Sequence, residues 1–183
     1  MRFKALTLIV LGALTSGALS AQTKLEATPS AKAPGGPGTK ISGTLQCGKT
    51  KSTVMEVGDD AGHALAVGKT PCAWTKPMTI AGAQTKEGTS SAVSDVRSDV
   101  SADHGYHVGT MSTGDKYYVR FDGQTKSSKG VLQSQVGRWG FIGGTGKLTG
   151  LQGRGTFKGT GNADGSTTVE VEGEYRLPSE PAK

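Results

Sequence analysis

One predicted β-hairpin carries most of the side chains that could bind or polarise a small molecule. Residues 104–123 alternate apolar and polar types on both sides of Thr113-Gly114, a pattern typical of two antiparallel strands joined by a turn. Side chains two positions apart share a face of a strand, and one face of this hairpin collects the polar types. The candidate site residues on that face are His107, Lys116, Tyr118 and Arg120.

This polar face has two alternative roles. If it lines the interior of a barrel, it forms a pocket for an anionic or hydroxylated ligand, and if it faces solvent, it is a hydrated surface. Pairing across the turn is predicted to place Val108 opposite Val119 and Tyr106 opposite Phe121. A slip by two residues would change these partners but not the faces, since side chains alternate with a period of two.

Trp139 is a further candidate for the pocket. Residues 131–142 alternate as a strand, and the alternation places Trp139 and Phe141 on the same face. Together with Trp74, the Trp139 indole would either wall a pocket or fill the core, as large aromatic side chains commonly do.

Neither histidine motif of the chain predicts a metal site or a catalytic pair. His104 and His107 are three positions apart, so their rings point to opposite faces of a strand. Asp59 and Asp60 precede His63 in a segment typical of a turn, although carboxylates beside an imidazole also serve as acid and base. The turn is the favoured interpretation of that segment.

The glycine-rich segment 143–161 predicts tight turns and close strand packing instead of a phosphate-binding loop. Gly146-Lys147 is followed by Leu148, where a phosphate loop requires Ser or Thr, and no G-x-G-x-x-G pattern occurs. The G-x-S-x-G motif of one large hydrolase class is also missing. The sequence therefore predicts no catalytic residue, no metal and no cofactor.

The cysteines predict one covalent bond. Cys47 and Cys72 are the only two in the chain. In an oxidising compartment such a pair forms a disulfide, whereas a reactive thiol is the functional alternative.

Composition and periodicity predict an all-β fold. Glycine supplies 29 of the 183 residues, which disfavours long helices because each glycine costs about 1 kcal/mol against alanine inside one. Short alternating runs separated by turns predict about eight strands, in a barrel or a sandwich. The first strands are predicted at 40–47, 51–57, 62–69 and 72–81, and the Ser-, Asp- and Gly-rich residues 84–103 are predicted to form a long loop. The chain is predicted to close with alternating residues 166–176.

The ends of the chain predict export. Residues 1–21 have the basic start, the apolar stretch and the small residues before a cleavage point that are typical of a signal peptide. That apolar stretch is shorter than the about 20 residues of a membrane-spanning helix. Residues 22–39 are predicted to be a disordered Pro/Ala/Gly linker, 40–177 a single domain and 178–183 a tail. The predicted location is the bacterial periplasm or the outside of the cell.

Charge argues against nucleic acid as a partner. The formal net charge is +6, but the basic residues are scattered along the chain and are not interleaved with aromatic residues. No transmembrane segment and no oligomeric state are predicted. The candidate partner is a small-molecule ligand.

The stretch from Trp139 to Phe157, with its Gly143-Gly144-Thr145-Gly146 turn, resembles the allene oxide cyclase and dirigent-like barrel superfamily. The resemblance extends to small exported bacterial proteins of unknown function. It implies an all-β, antiparallel eight-stranded barrel of calycin type, rich in glycine and with little helix. None of the catalytic positions of the plant enzymes matches a residue of this chain.

Three functions follow from the predicted barrel. The first is a non-catalytic exported protein that binds a small molecule or a component of the cell envelope. The second is a cyclase or isomerase that uses the barrel cavity, with Lys116, Tyr118 or Arg120 as electrostatic groups. The third is a structural or interaction protein with a filled barrel. The interior of the barrel distinguishes them.

Overall fold

The computed structural model describes residues 38–178, which form one antiparallel sheet of ten strands. The strands are β1 (Thr39–Cys47), β2 (Lys51–Glu56), β3 (His63–Lys76), β4 (Thr79–Ile80), β5 (Ala83–Arg97), β6 (Val100–Met111), β7 (Lys116–Ser128), β8 (Val131–Gly144), β9 (Gln152–Gly161) and β10 (Thr167–Arg176). A single 3₁₀ turn, Gly146–Leu148, is the only helical element of the described part.

Eight of these strands close into a barrel. The sheet runs β2-β3-β1-β10-β9-β8-β7-β6-β5-β4, and β3 also pairs with β5, which joins the two ends of the series. Strands β2 and β4 remain outside the closed ring. The predicted all-β, antiparallel eight-stranded barrel is therefore confirmed.

The prediction that residues 84–103 form a long loop is wrong. The segment contributes nearly all of β5 and the start of β6. Its inward positions are small or polar, including Ser90, Ala92 and Ser94, whereas Val93 between them points outward and is half exposed. The usual alternation is inverted because these strands line a cavity, so the pattern lacks the apolar side that marks a strand in sequence.

The predicted register of the 104–123 hairpin is wrong by one residue. Val108 pairs with Tyr118, and His107 pairs with Val119. The connection is longer than a turn at Thr113-Gly114 alone, because the Met111 amide bonds the Asp115 carbonyl at 2.8 Å. A shift by one residue exchanges the faces of a strand, so the predicted common face is split between the two sides of the barrel wall.

One end of the barrel is filled by an apolar core. β4 and the 3₁₀ turn fold under this end, where Ile80, Leu148 and Leu151 are almost completely buried. They pack in one cluster with Met111 and Tyr117. The other end has no such filling, and the cavity described below opens there.

The predicted disulfide is confirmed. Cys47 of β1 bonds Cys72 of β3, and the described residues contain no free cysteine. No helix within residues 38–178 has the length and hydrophobicity needed to span a membrane. The predicted signal peptide, nearly all of the predicted linker and most of the predicted tail lie outside the described residues, so these boundaries stay predictions.

Close packing of the Trp139 ring against glycine gives a first testable prediction. A Cβ atom on Gly155 would lie 2.6 Å from the ring of Trp139 and would collide with the Glu172 carbonyl oxygen. We expect Gly155→Ala to lower the free energy of unfolding by about 1–3 kcal/mol, because the core has no room for the added methyl group. Urea unfolding followed by intrinsic fluorescence measures the change.

Gly140→Ala is the matched control. It also lies in a barrel strand, but the nearest atom to its added Cβ would be the Gly153 carbonyl oxygen at 3.4 Å. This variant is expected to stay within about 0.5 kcal/mol of the parent protein. Equal losses for the two variants would contradict the close packing of Gly155 against Glu172 and Trp139.

Candidate functional site

A cavity of about 500 Å³ occupies the open half of the barrel. All eight barrel strands contribute to its wall. Its upper rim includes Ser98, Asp99 and Gly130, which lie at or beside the β5–β6 and β7–β8 turns. A volume of this size falls within the range of about 300–1,000 Å³ that is typical of small-molecule sites.

Aromatic side chains form the floor of the cavity. Trp139 and Phe141 lie edge to face with their ring centroids 4.9 Å apart, and Phe141 contacts Tyr117 in the same way at 6.0 Å. Phe121 and Phe157 form a second such pair at 6.1 Å. These geometries suit the quadrupoles of the rings, and they give the floor an apolar surface of fixed shape.

The wall above the floor is made of small and hydroxyl-bearing residues. Their short side chains leave the space open, and their hydroxyl groups make it polar. The inward positions of this kind on β3, β5 and β7 are Ala66, Gly68, Thr70, Ser90, Ala92, Ser94, Thr125 and Ser127.

A chain of hydrogen bonds connects the floor to the wall. The Trp74 indole N–H donates to the Tyr117 hydroxyl oxygen at 2.8 Å. The Tyr117 hydroxyl lies 3.3 Å from His107 Nε2, and His107 Nδ1 lies 3.0 Å from Ser90 Oγ. Space for this chain depends on Gly109, since a Cβ there would collide with the Tyr117 ring.

Donor chemistry fixes the direction of this chain. Indole nitrogen only donates, and the buried Tyr117 O–H needs an acceptor, which His107 Nε2 supplies. Nδ1 then carries the ring proton and donates to Ser90. The Ser90 hydroxyl hydrogen can then point to the Cys72 sulfur, which lies 4.0 Å from Ser90 Oγ, or to an acceptor in the cavity. In this tautomer His107 donates to Ser90 and is not placed to act as its base.

Burial keeps both ring groups uncharged. The pKa of His107 is lowered to about 4 because the imidazole is desolvated. Burial also raises the pKa of the Tyr117 hydroxyl well above its usual value of 10.0. At neutral pH the chain therefore consists of neutral donors and acceptors.

His107 should make stability depend on pH. Its pKa falls from 6.5 in the unfolded chain to about 4 in the folded protein, so the unfolded state binds more protons between these values. Unfolding free energy is then expected to decrease as the pH falls from 6.5 to 4, by up to about 1.4 kcal/mol per pH unit. Urea unfolding at several pH values measures this slope.

Exchange of the imidazole isolates the contribution of His107. His107→Gln should make the decrease between pH 6.5 and pH 4 shallower, whereas the exposed His104, changed to Gln, should leave it nearly as it is. The same slope in all three proteins would rule out His107 as its source.

Asp103 places a carboxylate in the cavity wall. It is only 8% exposed and lines the cavity on β6. Its oxygens accept hydrogen bonds from Ser101 at 2.9 Å and from Thr125 at 2.6 Å. These two hydroxyl groups stabilise the charge and fix the orientation of the carboxylate.

The structure divides the candidate residues predicted from sequence. His107 and Trp139 line the cavity. Lys116, Tyr118 and Arg120 alternate with inward-facing Tyr117, Val119 and Phe121, so they lie on the outer face of β7. The expectation of an anionic ligand depended on Lys116 and Arg120, and it has no basis in the cavity because both lie on the outer face. Trp74, the other predicted wall residue, lines the cavity as well.

Other cavity residues were missed by sequence reasoning. Tyr117 alternates with the predicted site residues Lys116 and Tyr118, so the sequence pattern puts it on the other face of the hairpin, and Ser90 and Asp103 fall in the segment predicted as a loop. The inward series of small residues in β5 is the signal that could have identified these positions, but it resembles a loop composition.

Two histidines outside the cavity contact carboxylates. The His63 ring lies between Asp59, which bonds Nδ1, and Asp95, 3.1 Å from Nε2. The hydrogen bond between His63 and Asp59 lowers the pKa of the Asp59 carboxyl group. His104 bonds Asp122 at 2.8 Å on the outer face, opposite to His107. No group of side chains within residues 38–178 is suited to hold a metal ion.

Comparisons with known proteins leave the chain without a family. No protein-family model matches it, and no curated protein matches it. Among solved structures it is similar to a conserved protein of unknown function from Rhodopseudomonas palustris, at 10% identity and a TM-score of 0.41, over 76% of this chain and 96% of that chain. A likeness of this size carries no argument about function. The resemblance to the allene oxide cyclase and dirigent-like superfamily stays a hypothesis without support from a family match.

Proposed function

We propose that this protein is an exported, non-catalytic carrier or receptor of a small amphipathic molecule, which it binds inside the barrel. The observation that carries the proposal is the cavity of about 500 Å³ with an aromatic floor and a polar wall. An apolar part of the ligand would pack on Trp139 and Phe141. Its polar groups would exchange hydrogen bonds with the wall above.

The direction of the hydrogen bonds favours binding over catalysis. His107 donates to Ser90 and remains neutral, which supports a role in recognition of an acceptor oxygen on the ligand. The cyclase or isomerase alternative relied on Lys116, Tyr118 and Arg120 inside the cavity. With these side chains on the outer face, that alternative has no electrostatic group left from the original set. The filled-barrel alternative is disfavoured by the open space itself.

Export is part of the proposal because of the N-terminal pattern and the disulfide. Arg2 and Lys4 precede an apolar stretch in residues 1–21, as in secretory signal peptides. The Cys47–Cys72 bond is typical of proteins that function in an oxidising compartment. The ligand would then be a molecule of the periplasm, the cell envelope or the surroundings.

Native mass spectrometry of the protein purified from its own host tests the proposal. We expect a bound small molecule that is released on denaturation. Ala92→Trp should abolish this bound mass, because the new indole would fill the cavity next to its wall. Val93→Trp is the control, since Val93 is the next residue of β5 and points outward.

Two results would contradict the proposed function. One is the absence of any bound mass in the parent protein together with no binding from a library of host small-molecule extracts. The other is equal retention of the bound mass by Ala92→Trp and Val93→Trp, which would place the molecule outside the barrel.

A further inference from the structure

We propose that the cavity selects an organic cation, an amine or a quaternary ammonium on an apolar body, and that Asp103 is its counter-charge. This inference rests on the proposed function and names the class of ligand. It follows from the burial of one carboxylate, from the sign of the charges in the cavity and from the distance between that carboxylate and the aromatic floor.

Asp103 is a buried carboxylate without a cation beside it. It is 8% exposed, and no basic side chain within residues 38–178 forms an ion pair with it. Buried aspartates are rare unless they are paired, because removing a charge from water is costly. The missing partner of Asp103 is therefore expected to come from the ligand.

The carboxylate has capacity for that partner. A carboxylate offers about four lone-pair positions. Ser101 and Thr125 each donate one hydrogen bond to it, one to each oxygen. At least one further N–H donor can bind without displacing either hydroxyl group. The two hydroxyls also hold the oxygens in place, which reduces the ordering needed when a cation binds.

The charges that line the cavity are negative. Asp99 at the rim and Asp103 in the wall are its two carboxylates, and none of its lining residues is Lys or Arg. His107, the one imidazole of the lining, is neutral. The lining of the cavity is thus negatively charged, which favours a bound cation and disfavours an anion.

The spacing along β6 fits a cation with an apolar body. Asp103 lies two residues from Gly105, whose register partner Phe121 pairs in turn with Trp139 of the floor. At a rise of about 3.3 Å per residue, Asp103 is about 7 Å from this part of the floor along the strand. An ammonium head at Asp103 would leave that length for an apolar tail directed at Trp139 and Phe141.

Three probes with the same tail test the proposal in the unmodified protein. 4-Phenylbutylamine, 4-phenylbutanol and 5-phenylpentanoate each carry a phenyl ring on four methylene groups, and their head groups are a cation, a neutral group and an anion. Isothermal titration should give the order amine, alcohol, carboxylate, with the amine about tenfold tighter than the alcohol, as expected for a hydrogen bond to a charged group. Added salt should weaken the amine more than the alcohol.

Substitution of Asp103 locates the effect. Asp103→Asn should reduce amine affinity about tenfold and leave the alcohol nearly unchanged. Asp122→Asn, a change of an exposed carboxylate on the outer face, should leave all three affinities as they are. Detection of the native bound molecule by mass spectrometry tests the proposed function separately from these probes.

The outcomes separate the two proposals. Equal affinity for amine and alcohol in the parent protein, or tightest binding of the carboxylate, would overturn the cation proposal and leave the binding function standing. Loss of amine preference in Asp122→Asn but not in Asp103→Asn would also overturn it. No binding of any probe, together with no native bound molecule, would defeat the proposed function itself.

Discussion

Replacing Trp139 by alanine is expected to lower the free energy of unfolding by about 3–5 kcal/mol. The indole is 7% exposed and packs edge to face on Phe141 with a centroid distance of 4.9 Å. Its N–H donates to the Thr156 carbonyl at 3.1 Å. Truncation would remove this packing and leave the carbonyl without its indole donor, and it would enlarge the cavity at its floor.

Val136→Ala is the control for Trp139→Ala. Val136 lies on the same strand but is 53% exposed on the outer face. We expect this change to stay within about 0.5 kcal/mol of the parent protein. Guanidinium unfolding followed by circular dichroism serves for both variants, since it does not depend on tryptophan fluorescence. A loss below about 1 kcal/mol for Trp139→Ala would contradict the buried position of the indole.

Removing the disulfide is expected to cost about 3 kcal/mol. The bond joins cysteines that are separated by 25 residues, and much of its effect comes from restriction of the unfolded chain. It also clamps the shortest contact of the barrel wall, since β1 and β3 share four register pairs, whereas β1 and β10 share nine. Thermal unfolding of the Cys47→Ala/Cys72→Ala double variant measures the loss.

Reduction provides an independent check on the double variant. The parent protein in excess reductant should lose a similar amount of stability, whereas the double variant should not respond to reductant at all. A double variant as stable as the oxidised parent would contradict a stabilising role for this bond.

The inner face of β8 and the disulfide bond were predictable from the sequence. In β8, Trp139 and Phe141 share the inner face as the pattern predicts, because bulky aromatic residues alternate there with polar and small ones. The Cys47–Cys72 bond was also predictable, since the chain offers no other pairing.

The inner face of the 104–123 hairpin was not predictable, because it depends on one residue in the turn. Both faces of β7 carry aromatic residues, so Tyr117 and Tyr118 are equally good candidates for burial by composition. The Met111–Asp115 hydrogen bond sets the register, and sequence alone does not distinguish it from a tighter turn. The predicted site therefore kept His107 and lost Arg120 to the outer face.

The polar wall of the cavity was hidden for a different reason. Strand prediction depends on an apolar face. In β5 the inward face instead carries Ser90 and Ser94, because it borders an open cavity. Residues that build an open space are small and polar, and their pattern is that of a loop. The same physical cause therefore explains both the failed strand prediction and the missed site residues Ser90 and Asp103.

The pairing of β1 with β10 has a consequence for how fast the protein folds. Thr39 at the start of β1 pairs with Tyr175 near the end of β10, so the first and last strands of the barrel are neighbours. Contacts between distant parts of a chain form late, and proteins dominated by them fold over about milliseconds to seconds. The hairpins from β5 to β10 can assemble in order as the chain becomes available. Ring closure has to wait for both ends, and until then β1 and β10 expose unpaired edges that are open to aggregation.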